Sequence, residues 1–176
     1  MVDSINATPS SASANSYATA AQLATYNANH IAAATSDVYD SATTDQRAQA
    51  AIMATRLLDE WVDWSGAKAT KTQALRWPRY GVLDRDGYQF DGDSIPKFLY
   101  TATAELVRLL LTNGDPTADP ETLGFSNLKV GPLELTVDVN DRDRYGSIPD
   151  SVRAMIEPYG TVRSKTNSGS FKVVRT

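Results

Sequence analysis

The sequence predicts a mainly α-helical fold: a compact helical bundle with a small β-hairpin excursion and extended N- and C-terminal arms. Three observations carry this. Two stretches, about Asp45 to Trp61 and Ile95 to Asn113, repeat apolar residues at helical spacing. One stretch, Leu128 to Val139, alternates apolar and polar residues on either side of Gly131-Pro132. The first residues are rich in Ser, Ala and Asn, and the last in Ser, Thr and basic residues. The chain therefore divides into an N-terminal arm (1–16), a helical core (17–114), a hairpin and short-helix region packed on that core (115–160), and a basic C-terminal arm (161–176).

Residues 1–16 hold few apolar anchors, so they read as an arm or loop that orders only against a partner. Thr19 is placed to cap a helix running to about Asn29, with Leu23 and Tyr26 on one face. Thr43 or Thr44 caps the next helix, and Asp45 complements the positive end of its dipole. Ala48, Ala51, Ile52, Leu58 and Val62 form its stripe, widened by Leu57, Trp61 and Trp64. Residues 67–76 are expected to form a short helix ending near Trp77, because Pro78 disfavours a helical residue before it. Gly81 to Ser94 reads as turns. Pro96 suits the first position of a helix bearing Phe98, Leu99, Ala102, Leu106, Leu109 and Leu110, and Asn113-Gly114 stops it. Residues from Asp115 to Leu123 are turn-rich. After the hairpin, Ile148-Pro149 introduces a short helix with Val152, Met155 and Ile156, closed by Pro158 and Gly160.

The 176 residues suit one domain, and 41% hydrophobic content supports a modest core. Without cysteine, neither a disulfide framework nor a thiolate metal site is possible. Met1-Val-Asp-Ser lacks the basic start and apolar run of a secretory signal, and no apolar run approaches a membrane span. The net charge of −4 is unevenly placed. Thr161 to Thr176 carries four basic residues and no acidic one, leaving 13 basic and 21 acidic residues elsewhere, a net of −8. An acidic body with a basic arm predicts an acidic partner for the arm and argues against a broad DNA-gripping surface.

Catalytic chemistry is sparsely provided. His30 is the only histidine, so no histidine relay or typical zinc site can form. Asp84, Asp86, Asp91 and Asp93 alternate but do not match a calcium loop, which needs a closing Glu. Asp138, Asp141 and Asp143 interleave with Arg142 and Arg144, which favours local ion pairs or a subunit contact. No phosphate loop or nucleophile elbow is present. The chain is therefore read as a non-enzyme with no cofactor, metal or catalytic residue. Tyr88 and Phe90, near Arg79 and Arg85, are the residues able to stack on single-stranded bases.

The most distinctive stretch is Gln73-Ala-Leu-Arg-Trp-Pro-Arg-Tyr-Gly81. Trp77-Pro78 sets a bulky apolar anchor on a stiff backbone, Arg76 and Arg79 flank it, and Gly81 and Gly87 let the chain turn. Trp77, Pro78, Arg79 and Gly81 are accordingly assigned as a structural pivot. Ordered pieces surround it: Asn15-Ser16-Tyr17, Tyr26, Arg47 to Trp61 with Leu57-Leu58-Asp59, and Trp64-Ser65-Gly66. Asp86-Gly87 and Ile95-Pro96 follow, the latter before a helix with Ala102, Glu105 and Leu106.

This series, roughly residues 15–112, resembles a phage family labelled DnaT-like single-stranded DNA-binding protein and the related head-tail connector, or adaptor, proteins of tailed phages. The resemblance implies a structural connector in the virion neck, assembled from the host cytoplasm as a dodecameric ring below the portal. Its implied partners are further copies of itself, the portal protein, and a stopper, tail-terminator or tail protein, with double-stranded DNA passing through non-specifically and no membrane involved. Region 115–176 is the departure from the simplest members. Its arm, with Arg163, Lys165, Phe171, Lys172, Val173, Val174 and Arg175, becomes the candidate partner-docking segment. The alternative is a single-stranded DNA-binding replication protein.

Overall fold

A computed structural model describes residues 2–31, 38–115 and 148–163, together with the backbone of 127–130 and 133–136. The turn-rich stretch after Asp115, the outer hairpin positions Val137 and Val139, the aspartates 138, 141 and 143, and the arm beyond Arg163 lie outside the described residues.

Helix boundaries follow local hydrogen-bonding chemistry. Helix α1 (Ala20–Ala28) and helix α3 (Thr44–Trp61) each begin with a capping box. Thr19 accepts from the Gln22 N–H while the Gln22 side chain accepts from the Thr19 N–H. Thr43 and Gln46 repeat the exchange. Each box satisfies two backbone donors that the first turn leaves free. Helix α4 (Lys97–Asn113) starts one residue later than predicted: Pro96 is its N-cap, in an extended conformation, and Gly114 stops it. Helix α5 (Asp150–Ile156) follows Pro149 and runs into a 3₁₀ turn, Glu157–Tyr159. The one-turn helix α2 (Val38–Ser41) was not anticipated. It is too short to show periodicity and is held by tertiary contacts. Tyr39 is buried, and the Arg47 guanidinium lies 4.6 Å over its ring while donating to the Tyr39 and Asp40 carbonyls.

Among the described residues, three antiparallel two-stranded pairs complete the fold. Strand β1 (Val62–Trp64) pairs with β6 (Gly160–Val162), setting Val62 opposite Val162 and Trp64 opposite Gly160. Strand β2 (Ala67–Lys68) pairs with β3 (Arg79–Tyr80). The predicted hairpin is formed by β4 (Asn127–Val130) and β5 (Leu133–Thr136). The helix expected over 67–76 is absent. In its place the chain makes a loop that returns Arg79 to Lys68. The Gln73 side chain drives this local competition: it accepts from Thr70 N and donates to the Leu75 and Pro78 carbonyls. A buried amide that offers the backbone non-helical partners outweighs a weak helical propensity.

The core lies where α4 packs against α3, α5 and α1. Leu57, Leu58, Leu99, Leu106, Val107, Val152 and Ile156 are fully buried in it. Ala51, Ala54 and Ala102 are also fully buried, and their small side chains let the backbones approach. The N-terminal arm is irregular, as its composition predicts, but its partner is this chain's own body. Asn6 N donates to Asn15 Oδ1 at 2.7 Å, Asn15 N returns to Asn6 O at 2.9 Å, and Ala74 N donates to Ser11 O at 3.0 Å. The asparagines that made the segment look featureless are the groups that close it.

Among the described residues, one carboxylate is buried in the bundle. Glu105 on α4 is 4% exposed. It accepts from Tyr26 Oη (3.0 Å) and from Arg108 Nε and Nη2 (3.1 and 2.8 Å), with His30 Nε2 at 3.8 Å. Burial works against its charge, but Arg108 and Tyr26 outweigh it, so the carboxyl sits below its ordinary range. Burial and the Glu105 charge push the Tyr26 phenol up to about 12, which keeps it a donor. A depressed carboxyl contributes stability that is present above the unfolded value, about 4.3, and is lost as the pH falls through the folded value. Glu105→Gln is expected to lower stability by about 1–2 kcal/mol at neutral pH and to flatten the acid limb of a stability–pH curve. Urea unfolding from pH 3 to 7 tests it; equal acid limbs for the two proteins would refute the assignment.

Candidate interaction site on the 73–93 segment

The segment between β2 and α4 is fastened to the bundle at three places. The first is a polar clasp. Tyr17, 1% exposed, donates its hydroxyl proton to Asp59 Oδ1 at 2.5 Å. The Tyr17 hydroxyl oxygen in turn accepts from Arg76 N (3.1 Å) and Trp77 N (3.3 Å), and Asp59 Oδ2 also accepts from Arg76 N (3.2 Å). Burial, reinforced by the Asp59 charge, drives the Tyr17 phenol well up, so it stays protonated and donates. Burial also raises Asp59, against the pull of Tyr17 and Arg76. The N-terminal segment, α3 and the start of the pivot thus meet through one hydroxyl.

The second fastening is aromatic. Trp77 is 1% exposed, and its peptide bond to Pro78 is cis. Its ring stands edge-on to Trp64 (5.8 Å between centroids), Phe90 (5.8 Å) and Phe98 (5.4 Å). Phe98 in turn stacks on Tyr159 at 3.9 Å. These geometries suit the ring quadrupoles. They join β1, the pivot, α4 and the 3₁₀ turn in one cluster.

The third fastening is Arg79. Its Nε donates to Ser65 O (2.6 Å), Nη2 to Gly66 O (2.6 Å) and Trp64 O (3.3 Å), and Nη1 to Arg76 O (3.1 Å). Burial pulls its pKa below the ordinary value, yet a guanidinium remains a cation in proteins. The planar fork closes the 64–66 turn against the pivot. That turn passes so close that a Cβ on Gly66 would lie 2.2 Å from Tyr80 O. Gly81, at φ 76°, then turns the chain outward.

Beyond Gly81 the segment becomes a braced surface loop. Asp84 Oδ1 accepts from Asp86 N (2.9 Å) and Tyr88 N (2.8 Å), and Asp84 N donates to Tyr88 O (2.7 Å). Phe90 N donates to Val82 O at 3.0 Å, and the Phe90 ring enters the aromatic cluster. The loop therefore has a fixed base and an exposed rim. Tyr80, Leu83 and Tyr88 on that rim are 52%, 55% and 74% exposed.

Residues 5–176 match the family model described as "Putative DnaT-like ssDNA binding protein". The chain belongs to this family. Comparison with curated proteins and with solved structures gives no match. The family match carries the single-stranded-DNA description and says nothing of a connector.

In this DnaT-like protein the structure separates the four residues read as a base-stacking set. Phe90 and Arg79 face the interior, where the ring packs on Trp77 and the guanidinium serves four carbonyls. Tyr88 and Arg85 face outward, and Arg85 Nη2 makes a 3.4 Å bond to Ala154 O. Tyr80 and Leu83 went unnoticed in the sequence. Strand alternation offers the signal for Tyr80: once Arg79 points inward, its neighbour in β3 must point out. The pivot residues Trp77, Pro78 and Arg79 are all buried. Of the docking arm, Arg163 is paired with the body: its Nη2 lies 2.5 Å from Asp63 Oδ1, and its N–H donates to Trp61 O at 2.8 Å. Arg163 holds the Asp63 carboxyl below its usual range. Lys165, Phe171, Lys172, Val173, Val174 and Arg175 lie outside the described residues.

Proposed function

We propose that this protein acts by binding rather than by catalysis, and that single-stranded DNA is its ligand. The observation that carries this reading is the family match over residues 5–176. The exposed loop supplies the chemistry. Tyr88 presents a ring on which a base can stack, and Arg85 beside it can neutralise a phosphate. The basic residues of 163–175 add charge that tracks a backbone. The test is fluorescence anisotropy with a labelled oligothymidylate at several salt concentrations. Saturable binding that weakens with salt is expected, and Tyr88→Ala should reduce affinity by roughly tenfold, since stacking contributes about 1–3 kcal/mol per base. No binding at physiological salt would overturn the reading.

A second reading is favoured by charge. Asp84, Asp86, Asp91 and Asp93 lie around Tyr88 in a chain of net charge −4, an arrangement that repels phosphate. It suits a wall past which duplex DNA slides without being gripped. Together with the resemblance of residues 15–112, this supports a head-tail connector: a dodecameric ring in the virion neck, between the portal and a stopper, tail-terminator or tail protein. Cryo-electron microscopy of isolated neck complexes separates the two readings. Ring density for this chain below the portal supports the connector; complete necks without it reject that role.

A further inference from the structure

We infer that the rim of the 80–93 loop is the docking site for residues 164–176 of the same chain. The surface and its occupant are matched in two kinds of chemistry. Between residues 84 and 93 the loop carries four carboxylates against Arg85 alone, a net of −3. Residues 164–176 carry Lys165, Lys172 and Arg175 with no acidic residue, a net of +3. The rim also exposes Tyr80, Leu83 and Tyr88, and the tail brings Phe171, Val173 and Val174. An exposed trio of large apolar side chains within an acidic frame selects a segment that is both basic and apolar.

The path of the chain favours the molecule's own tail over that of another copy. Tyr159 packs on Phe90 at 5.4 Å, and Arg85 reaches the Ala154 carbonyl, so α5 and the 3₁₀ turn abut the loop's base. Strand β6 follows directly, and Arg163 pins its end to Asp63 and Trp61. The tail is therefore rooted on the elements that brace the loop. Its thirteen residues reach up to about 45 Å when extended, at roughly 3.4 Å each. A tether of that length holds its cations near the loop at an effective concentration on the order of millimolar. The loop is braced by the Asp84 turn and the Phe90 anchor, so docking requires no ordering of the loop itself. The inference requires neither reading of the ligand. Where the tail binds DNA or a neighbouring protein, the loop becomes its internal competitor.

The chain has no cysteine, which makes site-directed trapping clean. Gln89 is exposed on the loop, so the test uses full-length protein carrying Gln89→Cys and Ser170→Cys under mild oxidation. The expected product is an intramolecular disulfide, monomeric on a non-reducing gel and verified by peptide mass. Its formation should slow roughly tenfold in ~1 M salt, where the screening length is about 3 Å. Changing Lys165, Lys172 and Arg175 to Gln in the same protein should slow it comparably. Disulfides formed only between molecules would overturn the inference in favour of a second copy as source. No trapping, or trapping indifferent to salt and to the charge changes, would also overturn it.

Discussion

Trp77→Ala is expected to lower the unfolding free energy by about 3–5 kcal/mol, the range for deleting a large buried aromatic. The indole is 1% exposed and touches three other rings from three parts of the chain. Its removal leaves a void bordered by Trp64, Phe90 and Phe98, none of which can fill it without leaving its own contacts. Domains of this size are stable by only about 5–15 kcal/mol, so the variant should sit near the edge of folding. Urea denaturation followed by far-ultraviolet circular dichroism measures the change. A loss below about 1 kcal/mol would mean that the cluster closes over the gap and that Trp77 is not its keystone. Trp77→Phe should recover part of the loss, because a smaller ring keeps some of the edge-on contacts.

Arg79→Lys is expected to cost about 2–4 kcal/mol despite conserving the charge. The guanidinium serves the carbonyls of Trp64, Ser65, Gly66 and Arg76 from one rigid plane. An ammonium is a point donor on a flexible stem and cannot span that arc. Buried carbonyls left without a donor each cost on the order of 1–3 kcal/mol. Thermal or urea unfolding reports the loss, and amide exchange in residues 64–68 should accelerate as the turn loosens. A change within about 0.5 kcal/mol, the range of neutral surface substitutions, would sink the structural role. The same variant bears on function. Reduced DNA affinity at unchanged stability would return Arg79 to the ligand-binding face from which the geometry removes it.

The division between what was legible and what was not runs along sequence separation. The starts of α1 and α3 could be read because Thr19 and Gln22, and Thr43 and Gln46, exchange their bonds within three residues. The body of α4 and the β4–β5 hairpin could be read because their periods, near 3.6 and 2, are written in neighbouring positions. Residues 67–76 misled because the decisive groups are the Gln73 amide and a strand partner across the loop, neither visible in propensity. The pairing of β1 with β6 joins three residues to three others far along the chain, and alternation over three residues is too short to mark a strand.

The sequence by itself determined that this is a mainly helical body with an irregular N-terminal segment, that its charge is split between an acidic body and a basic tail, and that the 73–81 stretch is exceptional. Tertiary structure alone decided which way that stretch faces. Two arginines and two aromatics, Arg79, Arg85, Tyr88 and Phe90, are alike in composition, yet Arg79 is buried and Phe90 is packed, half-buried, against the core, while Arg85 and Tyr88 are exposed. The reason is that facing is set by register. Arg79 turns inward because β3 pairs with β2 and sets four carbonyls around its fork, and Phe90 turns inward because Trp77, Phe98 and Tyr159 converge where it arrives. Those partners come from separate segments of the chain, so only the folded arrangement brings them together.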